Sequence, residues 1–108
     1  MIDKTLTGRP TLAETACQRV APVLRVLGHA DRLRMADLLL RGEMSVADLA
    51  RTLKLAPNAV SQHLNIMLAH GILQRSRRGR CVIYSVVHPA AKTLVRCMWR
   101  NAGRGGRP

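Results

Sequence analysis

Asn58, Ala59, Ser61, Gln62 and Asn65 recur at helical spacing and make an uncharged, mostly polar face. Asn and Gln can each bond an adenine edge in two places. Ser can bond several bases, and an Ala methyl can touch a thymine methyl. Four arginines follow, Arg75, Arg77, Arg78 and Arg80, and Arg51 and Lys54 precede the face. Guanidinium groups there can grip phosphates or enter a neighbouring minor groove. His63, between the polar positions, suits bracing or a phosphate contact. Taken alone, the polar face is equally a solvated helix surface and the arginine run equally a solubilising loop. Their adjacency, with Gly71 and Gly79 punctuating the segment, favours a reader of duplex DNA: small polar groups discriminate and cations attract.

The elements that must position these residues follow from the surrounding pattern. Ser45 to Leu53 is a predicted helix, capped by Ser45, with Asp48 placed favourably near its positive end. Leu55-Ala56-Pro57 is a turn, and Pro57 suits the first position of a second helix running to Ala69. Val60, Leu64, Met67 and Leu68 form its inward stripe. Two strands are predicted at 72–77 and 80–87, joined by Arg78-Gly79. Upstream, Leu12, Ala16, Val20, Leu24 and Leu27 predict a helix over 11–27 with that stripe inward, started by a Thr11/Glu14 capping box and complicated by Pro22. Asp31 is placed to cap a further helix that Gly42 ends. Pro89 opens a last helix carrying Leu94, Val95, Met98 and Trp99. The fold class is therefore mainly α with a two-stranded β-hairpin wing, a winged helix-turn-helix. Residues 1–10 are expected to be a flexible arm, 11–101 the DNA-binding domain, and 102–108 a basic disordered tail.

Charge supports the same division. Residues 49–108 hold eleven Lys/Arg and no Asp or Glu, whereas residues 1–48 hold seven basic and six acidic residues, so most of the net +12 lies in the second part. A polyanion is the natural partner. With one Trp, one Tyr and no Phe, the chain lacks the aromatic platforms on which single-strand readers stack bases. Three widely spaced cysteines suggest neither a disulfide framework nor a CxxC zinc site. No stretch is apolar for long enough to span a membrane, and a cytoplasmic location is expected. No Ser/His/Asp, Cys/His or paired-carboxylate grouping suggests catalysis, so no enzyme is expected.

Gly28-His29-Ala30-Asp31-Arg32-Leu33-Arg34, Glu43-Met44-Ser45-Val46-Ala47-Asp48-Leu49, Val60-Ser61-Gln62-His63-Leu64, Gly71-Ile72-Leu73 and Gly79-Arg80 with Tyr84-Ser85-Val86 together resemble the ArsR/SmtB family of small bacterial winged-helix repressors. The resemblance covers about residues 20–100. It implies a homodimer paired through its first and last helices. It also implies an inverted-repeat operator in double-stranded DNA and release when an inducer binds. The family commonly has Ser where this chain has Ala56, so the usual cap of the reading helix is missing. The alternative function is a winged-helix module for protein interaction or for coating nucleic acid without sequence choice.

The family's metal-sensing patterns are depleted. Where one pattern carries two thiols, this chain has Ser45 and Ala47, which cannot replace thiolates for a soft metal. The second pattern falls on His88, Ala90, Asn101 and Arg104, leaving one ligand of four. The second-helix cysteine of the family's thiol sensors is Asp37 here. No metal and no resident cofactor is expected. Cys17 and Cys97, on helices that adjoin in the family dimer, read either as small core residues or as a thiol pair for a thiophilic inducer. Cys81 suits packing or surface. His29, His70 and His88 sit at element ends and suit local hydrogen bonds.

Overall fold

The protein is described by a computed structural model. It describes Gly8 and residues 10–105, with side chains from Pro10 to Ala102. The order is α1 (Glu14–Leu27), α2 (Ala30–Arg41), α3 (Val46–Leu53), α4 (Pro57–Ala69), β1 (Leu73–Arg78), β2 (Cys81–Val86) and α5 (Pro89–Gly105). The expected arm, apart from Gly8 and Pro10, lies outside the described residues, as do 106–108. The backbone of 102–105, assigned above to the tail, continues α5.

Three of the five helices start at a side-chain cap. At α3 the Ser45 hydroxyl accepts from the Asp48 N–H at 3.1 Å, and the Asp48 carboxylate accepts from the Ser45 N–H at 3.4 Å, a reciprocal capping box. At α2 the cap is His29 rather than Asp31: its Nδ1 accepts from the Asp31 N–H at 3.2 Å. At α5 His88 plays the same part for the Ala90 N–H at 3.1 Å. The Thr11/Glu14 box does not form, because α1 begins only at Glu14, behind Ala13, with no side-chain cap. Pro22 sits within α1 without ending it, and its missing N–H leaves the Gln18 carbonyl without the usual helical donor. The α4 start has no side-chain cap either, and Pro57 at its first turn removes one donor that would otherwise need a partner.

Leu27, Met35, Leu49, Val60, Leu64, Met67, Ile72 and Val95 are fully buried and, with Leu73, Tyr84 and Val86 of the hairpin, join the helices and the hairpin into one core. A side chain of this size contributes about 1.5–3 kcal/mol when fully buried. The predicted α1 stripe is corrected. Only its Leu27 is buried; Val23 and Val26 supply the rest of the core face, while Leu12 is 79% and Leu24 is 49% exposed. The helix carries two apolar stripes, and periodicity reports that a helix forms, not which stripe this chain covers.

β1 and β2 pair antiparallel, from Leu73 opposite Val86 to Arg78 opposite Cys81. The two-residue connection is Gly79-Arg80, one position later than expected, with Gly79 at φ +62°. The Tyr84 N–H donates to the Met44 carbonyl at 3.0 Å, which ties the base of the hairpin to the segment before α3.

Candidate nucleic-acid interface

The candidate face is built from the two sides of α4. Val60, Leu64 and Met67 are buried against the core, which turns Asn58, Gln62 and Asn65 outward, spaced four and three residues apart. All three are exposed. Ala59 and Ser61 are half-buried at the flank of this strip, so the outward surface is narrower than the sequence suggested. No ionisable group sits among the three. α3 packs across α4 and α4 packs on β1, so the strip lies beside the hairpin.

The hairpin arginines are all exposed, but they are not equivalent. Register puts Arg75 opposite Tyr84 and Arg77 opposite Val82, on one face, and Arg78 opposite Cys81 on the other. Arg78 pairs with Glu43 at 3.0 Å. Arg51 pairs with Asp48 at 2.7 Å. Among the described residues, Lys54, Arg75, Arg77 and Arg80 have no carboxylate partner. Those four cations are the uncompensated charges of this region. Lys54 also holds a left-handed conformation, φ 58° and ψ 47°, where it ends α3.

α4 is held from behind by a side-chain staple that sequence reasoning missed. The Arg32 Nε donates to His63 Nδ1 at 3.2 Å, and its Nη1 donates to the Val26 carbonyl at 3.1 Å. One guanidinium thus joins the end of α1, the start of α2 and the middle of α4. The His29 ring meets the His63 ring edge-on, with centroids 4.6 Å apart. Burial is the first cause holding His63 below the usual histidine value of 6.5, and the repulsion that a proton on it would meet from His29 and from the Arg32 guanidinium adds to it. The nearest sequence signal was Arg32 inside the Gly28–Arg34 motif, but nothing in spacing pairs it with His63.

Asp31 joins these rings, and ligand atoms of His29, Asp31 and His63 lie within 4.8 Å of one another. The geometry is that of a hydrogen-bonded staple. Both Nδ1 atoms already accept donors, and a cation would also face the Arg32 guanidinium. Asp48 is held below the usual 3.8, first by the Ser45 N–H, then by the Ser45 hydroxyl and by Arg51.

The three thiols are exposed, which removes the core reading of Cys17 and Cys97 within one chain. Cys97 Sγ accepts from the Asn101 amide at 3.5 Å. His70 lies 2.9 Å from the Ile66 carbonyl at the end of α4. No helix among the described residues is long and apolar enough to cross a membrane.

Residues 29–75 match the pattern of the bacterial regulatory protein, arsR family. A cadmium resistance transcriptional regulatory protein CadC homolog of Staphylococcus aureus is 31% identical over 94 residues, covering 86% of this chain and 78% of the relative. A transcriptional repressor SmtB homolog of Synechocystis is 34% identical over 79 residues, which is 73% of this chain but 60% of that protein's length. A homodimeric winged helix-turn-helix DNA-binding domain of Mycobacterium bovis superposes with a TM-score of 0.72 over 91% of this chain and 94% of its own, at 21% identity, and so shares the fold. With the staple, the strip and the hairpin in place, the chain belongs to the arsR family of bacterial regulatory proteins, DNA-binding transcriptional regulators and not enzymes.

Proposed function

We propose that this chain represses transcription as a homodimer on an inverted-repeat operator, with α4 in the major groove and the hairpin along the adjacent backbone. The observation that carries the reading is the exposed, uncharged strip Asn58, Gln62 and Asn65 beside the unpaired cations Lys54, Arg75, Arg77 and Arg80. Ala59 and Ser61 add shorter contacts at the strip's flank. His63 positions α4 from behind rather than gripping phosphate, since its Nδ1 is engaged by Arg32. Arg51 and Arg78 contribute positive potential reduced by their carboxylate partners.

Dimerisation is supported by the second apolar stripe of α1. Leu24 and, just ahead of the helix, Leu12 lie uncovered, and α1 packs beside α5. Two copies pairing these helices would cover that surface and set two α4 helices on one DNA face. A hydroxyl-radical footprint on the native promoter tests this. Two protected half-sites separated by about one helical turn are expected; a single protected site, or uniform protection of any duplex, contradicts it.

The same reading places an inducer response at Cys17 and Cys97, both exposed and carried on the two adjoining helices. DNA release by arsenite, lost in Cys17→Ser/Cys97→Ser, is the expected result. Identical release from both proteins removes the thiols from the response.

A further inference from the structure

Val95, Met98, Trp99 and Ala102 fall on one face of α5, and Leu33, Asp37 and Arg41 on one face of α2. Where these faces meet, the helices do not close. They leave an open groove of about 610 Å³, the size of a small-molecule site, walled mostly by apolar side chains.

The polar groups of the groove are ordered. The Trp99 indole N–H donates to Asp37 Oδ1 at 2.6 Å, and the Arg41 Nε donates to the same oxygen at 2.8 Å. The Arg41 guanidinium also lies 4.8 Å from the centre of the indole ring. Asp37 is therefore occupied by two donors, and the indole N–H is tied to α2. Trp99 and Met98 stay 37% and 42% exposed, so the groove keeps an apolar surface in water. Its ionisable lining is two guanidiniums, Arg34 and Arg41, against the one carboxylate of Asp37. Arg34 is the less committed, since its own partner Asp31 stands 3.7 Å away.

We infer that this groove is an effector site for a small organic anion with an apolar body, its carboxylate on Arg34 and its body against Leu33, Val95, Met98 and Trp99. A charged head on a guanidinium and a chain on an apolar floor match the lining in both charge and polarity. The site is also connected to the reading helix. α2, which supplies Leu33, Arg34, Asp37 and Arg41, also supplies Arg32, and Arg32 grips His63 on α4. A ligand wedged between α2 and α5 acts on the helix that braces α4. This second half rests on the proposed DNA function; the binding half does not.

Trp99 is the only tryptophan, so its emission reports on the groove directly. Decanoate is titrated into the full chain, with decyltrimethylammonium and acetate in parallel, and affinity for the promoter duplex is measured in the same samples. A saturable change in emission with decanoate alone is expected, together with about tenfold weaker DNA binding. In Arg34→Gln the decanoate affinity should fall about tenfold, with an unchanged thermal transition and unchanged DNA affinity in the absence of decanoate. An equal response to the cationic amphiphile, or no saturable response, overturns the site. Emission that follows chain concentration while decanoate is silent assigns the groove to a second copy and overturns it too. Saturable binding with unaltered DNA affinity overturns the effector role. If the duplex is not bound even without decanoate, the proposed function fails while the emission titration still decides the site.

Discussion

Arg32 and His63 lie 31 residues apart, and the guanidinium Nε of one donates to the ring Nδ1 of the other at 3.2 Å. The contact requires a neutral imidazole, because a protonated ring has no lone pair to accept with. It sits directly behind the strip that carries Gln62, so the orientation of α4 depends on a titratable group.

That dependence has a sign. His63 in the folded chain titrates below 6.5, so between the folded and unfolded values the unfolded chain holds more protons. The stabilisation is complete above about 6.5 and is lost as pH falls through the folded value. Thermal melts from pH 8 down to pH 5 should show the transition falling with pH, and His63→Gln should flatten that fall while lowering stability at pH 8. An unchanged pH profile in the variant would remove His63 as its source.

Glu43 restrains the hairpin. Its carboxylate holds Arg78 at 3.0 Å, so Glu43→Gln frees one cation and removes one negative charge beside the phosphate path. Affinity for all duplexes should rise a few-fold and the salt dependence should steepen by up to about one unit of slope. Equilibrium binding at several salt concentrations reads both, and a slope no steeper than wild type counts against the ion pair as a brake.

The Ser45 hydroxyl and the Asp48 carboxylate cap α3 reciprocally. Ser45→Ala should cost about 1 kcal/mol, seen as a lower denaturation midpoint with an unchanged slope. The same change should bring the Asp48 carboxyl only part of the way back toward its usual value, since it removes the Ser45 hydroxyl but keeps the Ser45 N–H, the leading cause of the lowering. Carboxylate titration by NMR checks that second effect.

Lys54 ends α3 in the left-handed region, at φ 58°. Lys54→Gly relieves that strain, offset in part by the greater freedom of Gly in the unfolded chain. A gain of a few tenths of a kcal/mol up to about 1 kcal/mol is expected. Because Lys54 is also an unpaired cation near the strip, the variant should be more stable yet bind DNA more weakly. A variant that gains stability with undiminished affinity would place Lys54 off the DNA path.

Much of this was legible in the chain because local rules and burial agree. Pro57 at the first turn and Val60, Leu64 and Met67 at core spacing defined α4 to the residue. Ser45 and Asp48 announced the α3 start, and Gly79 announced the hairpin. The stripe on α1 misled for a physical reason: Leu12 and Leu24 are apolar without being covered by this chain, and a single sequence does not separate a core stripe from one left open to a partner. The hairpin arginines were legible as charge, but their inequality was not. It depends on Glu43, 35 residues from Arg78, and on strand register. Nor was the Arg32–His63 staple legible, because two helices must pack before a guanidinium and a ring can meet.

The central claim is that α4 reads bases while the hairpin supplies attraction. It is tested most directly by measuring affinity for the native promoter duplex and for a scrambled duplex, at one salt concentration, in three proteins. These are the wild type, Ser61→Ala/Gln62→Ala and Arg75→Ala/Arg77→Ala. The account predicts that the α4 variant loses about 1–3 kcal/mol of discrimination per lost base contact and keeps its affinity for the scrambled duplex. The hairpin variant should weaken on both duplexes by a similar factor. Discrimination that survives the α4 variant intact would contradict the account.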